Sequence, residues 1–83
     1  MELAILQNTL MLEAQLKFRE GKIVAIVATC NGFKFRGEDL ASYEVSIHSA
    51  TGESIKAFEF KSYVSREENE KTFEEGLEYI RDL

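Results

Sequence analysis

The sequence predicts an α+β domain: an antiparallel meander of four to five strands, then one C-terminal amphipathic α-helix packed on one sheet face. Three observations lead there. Between residues 10 and 63, apolar side chains recur at alternate positions and glycine-containing pairs punctuate them. After Ser65 the apolar residues fall three and four apart instead. The stretch Ile23 to Ala28 is apolar on both sides, so that strand needs cover above and below.

The chain has 83 residues, 45% hydrophobic and 30% charged, which fits one domain over 1–83 and argues against disorder. A chain this short buries only roughly 60% of its unfolded surface, so material for two covers is scarce.

Residues 1–9 (MELAILQNT) read either as an extension of the first strand or as a short helix covering the second sheet face. A strand is expected at about 10–19. Leu10, Leu12, Ala14, Leu16 and Phe18 take one side, and Met11, Glu13, Gln15, Lys17 and Arg19 the other. Glu20-Gly21 turns the chain into the doubly apolar strand at about 22–30. Asn31-Gly32 is a type I′ hairpin signal, because both residues tolerate positive φ. A short strand at 33–36 then sets Phe33 and Phe35 against Lys34 and Arg36, with the rings expected to point inward.

The strand at 42–49 places Tyr43, Val45 and Ile47 opposite Glu44, Ser46 and His48, and Thr51-Gly52 makes the next turn. At 54–63, Phe58 and Phe60 oppose Ile55, Ala57 and Tyr63, which implies cover on both sides or a bulge. Ser65-Arg66-Glu67-Glu68 is a capping box opening a helix over 66–82, although Asn69 occupies the position of the usual hydrophobic staple. Phe73, Gly76, Leu77, Ile80 and Leu83 form its apolar stripe. Glycine inside a helix costs about 1 kcal/mol against alanine, so Gly76 reads either as close approach to the sheet or to a second subunit, or as simple tolerance of a weak position.

The chemistry-bearing residues are sparse. His48 is the sole histidine; it shares a face with Glu44, and no nucleophile is paired with it in sequence. Cys30, the sole cysteine, reads as a buried apolar filler at a strand end. No zinc-ligand spacing occurs, and Glu38-Asp39 is too short for a calcium loop. No catalytic, cofactor-binding or metal-binding residue is assigned, and the chain is read as a non-enzyme needing no cofactor. The N-terminal stretch has neither a basic region nor a spanning apolar run, and one cysteine makes no internal disulfide. A cytoplasmic protein without a membrane association is therefore expected.

The formal net charge is −5, and the chain is two-sided. Lys17, Arg19, Lys22, Lys34 and Arg36 gather in the first half, whereas the helix is acidic along Glu67, Glu74, Glu78 and Asp82. An apolar sheet face left over by one helix points to a partner. The expected function is a small protein-binding module (an adaptor, inhibitor or regulatory subunit), homodimeric and acting by surface complementarity. Size alone suggests an analogy with accessory proteins of phages and mobile elements. The candidate partner-binding residues are the cations Lys17, Arg19, Lys34 and Arg36, the acidic helix positions Glu74 and Glu78, and Tyr43 and Tyr63 as aromatic anchors. Two alternatives stay open. One is nucleic-acid binding through a cationic sheet face, opposed by a pI of about 4.8. The other is a small enzyme or enzyme subunit with His48, Glu44 and Asp39 at an oligomer interface.

Overall fold

The computed structural model describes residues 2–83, as α1 (Leu3–Arg19), β1 (Ala25–Phe35), β2 (Glu38–His48), β3 (Ser54–Lys61) and α2 (Arg66–Arg81). The three strands form one antiparallel sheet in the order β1-β2-β3. The α+β class and the C-terminal helix are as expected. Among the described residues the strand count is three, not four to five.

The first correction concerns residues 10–19, which are helical. Leu10 to Arg19 contains no β-branched residue and consists mostly of strong helix formers, so propensity overrides the apparent alternation. The buried positions Leu6, Gln7, Leu10 and Ala14 follow the helical period. Leu12 and Leu16, which alternation placed inside, are 63% and 52% exposed. Residues 3–9 belong to the same helix and do not cover the second sheet face; Met1 lies outside the described residues.

The second correction concerns the hairpin. The expected strands 22–30 and 33–36 are one strand of 11 residues running straight through Asn31-Gly32. The turn lies at Arg36-Gly37, whose φ values of 51° and 81° are both positive, as a type I′ turn requires. Turning there pairs Ile26 with Ile47 and Ala28 with Val45 on one face. A turn at Asn31-Gly32 would leave only Phe33 to Arg36 to pair back before Gly37, and the longer ladder wins. The second sheet pairing shifts register at Ile47/His48, where β3 begins.

Both helices lie on the same sheet face. Register places Tyr43, Val45, Ile47, Phe58 and Phe60 on that side. Val45 and Phe60 are fully buried there with Leu10, Ala14 and Ile80. Rings of α2 complete the layer: Phe73 lies 6.5 Å from Phe60, and Tyr79 lies 5.8 Å from Phe58. Ile23 enters the same core from the α1–β1 loop.

Polar groups lock the layers together. Gln7 Nε2 donates to the carbonyls of Thr29 at 2.8 Å and Glu44 at 3.1 Å, pinning α1 to the β1–β2 ladder. Ser65 Oγ accepts from Glu68 N–H at 3.1 Å, so the expected N-cap forms. Asn69, buried where a staple residue was missing, accepts from Lys61 N–H and donates to Lys61 C=O, tying α2 to the end of β3.

Candidate binding surface

Alternation along the three strands defines the sheet face away from the helices. Val27, Thr29, Asn31, Phe33 and Phe35 reach it from β1, Leu40, Ser42, Glu44, Ser46 and His48 from β2, and Ala57, Glu59 and Lys61 from β3. No described element covers this face.

The face is apolar at its far end and polar in the middle. Gln7 meets the sheet at the level of Thr29, one turn from the start of α1, so helical cover ends there. From Thr29 to Asp39 every residue of the β1–β2 hairpin is exposed, and it forms an arm beyond the two layers. The molecule is accordingly elongated, 44 × 25 × 16 Å. Two rings mark the arm, and a third, Tyr63, meets it from the β3–α2 connection. Phe33, 40% exposed, packs edge-on to Tyr63 at 5.8 Å, and Phe35 carries the Arg36 guanidinium 5.2 Å above its ring. Leu40 pairs with Phe33 across the ladder. Nearer the base, Thr29, Glu44 and Glu59 lie side by side across the strands, and Glu59 pairs with Lys61 at 3.3 Å.

The expected site residues scatter over this frame. Lys17 and Arg19 sit in the last turn of α1, where Lys17 Nζ donates to Leu83 C=O. Lys34 and Arg36 sit at the arm tip, where Lys34 faces Asp39 at 3.8 Å in an exposed pair. The two pairs are separated by the length of β1, roughly 33 Å at about 3.3 Å per residue, so no single cationic patch is assembled. Glu74 and Glu78 are exposed on α2, with Glu78 beside Lys56 and Tyr79 at a shallow cleft. Tyr43 lies on the helix side opposite Cys30, half-buried, and Tyr63 lies on the open side against Phe33. The rings of Phe33 and Phe35 are opposite Lys34, as alternation requires, but they face outward, contrary to expectation.

Cys30 is not a buried filler at a strand end: it is exposed, in mid-strand, because the arm outruns the helices. As a side-chain hydrogen-bond partner it raises the Tyr43 phenol above its ordinary value. The His48 ring has two partners, Ser46 Oγ at 2.8 Å from Nε2 and Gly52 C=O at 3.2 Å from Nδ1. The carbonyl can only accept, so Nδ1 carries the proton and Nε2 faces the Ser46 hydroxyl. That is a nucleophile–base distance, yet Ser46 is buried among its neighbouring strands and its hydroxyl also donates to Val27 C=O at 3.4 Å. Glu44 shares the face, whereas Asp39 lies at the arm tip with Lys34.

A cleft of about 280 Å³ opens between the start of α1 and the β3–α2 connection, lined by Leu3, Leu6, Lys61, Val64, Arg66 and Asn69. Its buried polar side chain, Asn69, is already committed to Lys61. Among the described residues no His/Cys/Asp/Glu group is arranged to hold a metal ion, and no helix is long and apolar enough to cross a membrane. Comparison with protein-family models, with curated proteins and with solved structures found no match for this chain.

Proposed function

We propose that this chain is a non-enzymatic protein-binding module, an adaptor, inhibitor or regulatory subunit, that works as a homodimer through surface complementarity. The observation that carries the reading is the exposed Phe33–Tyr63 ring pair, with Phe35 exposed on the same side of β1, at an arm and sheet face that no described element shields. Two rings held by β1 and a third from the β3–α2 connection, all left in water, present large apolar area at little cost in conformational entropy, which is the chemistry of an interface anchor. The partner is a protein surface with an apolar pocket for these rings, rimmed by groups that suit Glu44, Glu59 and Arg36.

The test is paired capture with the tagged chain and a Phe33→Ser/Tyr63→Ser double variant, with thermal melts confirming that both fold. Proteins retained by the first and lost by the second support the reading. Equal retention by both, or none by either, contradicts it.

A further inference from the structure

β1 is an edge strand along its whole length. Which of its residues face outward follows from β2. Ala41 directs both its backbone groups toward Ser62 on the β3 side: its N–H donates to Ser62 Oγ at 2.9 Å and its C=O accepts from Ser62 N–H at 2.9 Å. Backbone groups alternate along a strand, so Ser42 and Glu44 direct theirs to β1. Their partners Asn31 and Thr29 are therefore the ladder-bonded residues. Ile26, Ala28, Cys30, Gly32 and Lys34 turn their N–H and C=O groups to the outside. Natural edges are blunted by proline, bulges or charge. β1 has no proline, its ladder with β2 has no register shift, and Lys34 is its single charge.

We propose that this edge pairs antiparallel with β1 of a second copy, across a two-fold axis at Cys30, to form one six-stranded sheet. The inference deepens the homodimer part of the reading above and rests on it. Self-complementarity selects a second copy as the occupant. Cys30 is the midpoint of Ala25–Phe35, so full overlap sets it against Cys30 of the partner subunit. Ile26 then meets Lys34 of the partner subunit and Ala28 meets Gly32 of the partner subunit. Every outward N–H and C=O finds a counterpart in this register.

The same register sets Val27 against Phe33 of the partner subunit on the open face. Both are about two-fifths exposed in the isolated chain, 42% and 40%. Aliphatic–aromatic cross-strand pairs of this kind favour association. β1 holds no acidic residue and its lysine faces an isoleucine, so like charges do not meet. On the helix side Ala28, Cys30 and Gly32 are small and exposed, which leaves room for the flank of the second α1. Each β1 contributes 11 residues, against roughly 20–30 a side in a standard interface, so the dimer belongs to the weak class.

Sedimentation equilibrium from low to high micromolar concentration tests this. The expected mass rises from 9.5 kDa to twice that value. Cys30→Ser should behave like the parent chain. Cys30→Lys opposes two ammonium groups at the axis and should weaken the dimer about fivefold or more. Cys30→Pro removes an outward N–H without touching the β2 ladder and should abolish the dimer, with circular dichroism checking the fold. A parent chain that stays at 9.5 kDa throughout overturns both this interface and the homodimer. A dimer indifferent to Cys30→Lys overturns the edge pairing alone, and its loss in Leu12→Lys would move the interface to α1.

Discussion

Gly76 of α2 and Leu10 of α1 approach so closely that a Cβ at position 76 would stand 2.9 Å from Leu10 Cδ2 and 3.4 Å from Phe58 Cγ. The two helices and the sheet meet at this point. The missing side chain is what allows α1 and α2 to share one face, and sharing one face is what leaves the other bare.

Gly76→Ala should therefore destabilise the chain. Alanine gains about 1 kcal/mol of helix propensity, but Leu10 is fully buried and overpacking costs about 1–3 kcal/mol. The urea midpoint should fall with the slope unchanged. In a Leu10→Ala background the same substitution should become neutral or stabilising, and equal losses in both backgrounds would refute the contact.

Asn69→Ala removes both bonds to Lys61 and leaves backbone groups at the end of β3 without their partner. The expected loss is about 1–3 kcal/mol. A melting temperature unchanged from the parent would show that water replaces the side chain at no cost.

Gln7→Glu should be pH-dependent. The new carboxylate would face the carbonyls of Thr29 and Glu44, where it can donate only when protonated. Its folded pKa is thus raised above the ordinary value of about 4.3. The deficit against the parent should be small below that pH and should widen as pH rises through it. A deficit constant from acid to neutral pH would contradict the placement of Gln7.

Tyr43 should ionise at a lower pH once Cys30 is replaced by alanine, because the thiol is the leading cause of its raised value. Ultraviolet absorbance of the phenolate, read for both chains, reports the shift. Overlapping titrations would show that the two side chains do not meet.

Much of the fold was legible in the sequence, for reasons visible at particular residues. The cap at Ser65 and the stripe through Phe73 and Ile80 each follow from one local rule. The turn at Thr51-Gly52, with Gly52 at φ 88°, does too. Gly76, by contrast, leaves close packing and mere tolerance equally open until Leu10 is placed beside it. α1 was hidden because Leu10 to Phe18 satisfies period two and period 3.6 at once, and only the lack of β-branched residues separates them. The hairpin was misplaced because Asn31-Gly32 and Arg36-Gly37 both admit positive φ, and the choice rests on eleven-residue pairing at long range. At the site, Tyr63 stands out in the sequence as an aromatic anchor, but its contact with Phe33 depends on long-range pairing. Phe33 shares the parity of Val27, a signal that holds only when no turn separates them.

Among the described residues, one sheet face is bare. Side-chain relaxation in solution with an added soluble nitroxide, recorded on dilute protein, tests it residue by residue. Val27, Phe33 and Tyr63 should broaden as strongly as the exposed Leu12 of α1, while Val45 and Phe60 stay sharp. Signals from Val27, Phe33 and Tyr63 as protected as those of Val45 would contradict it.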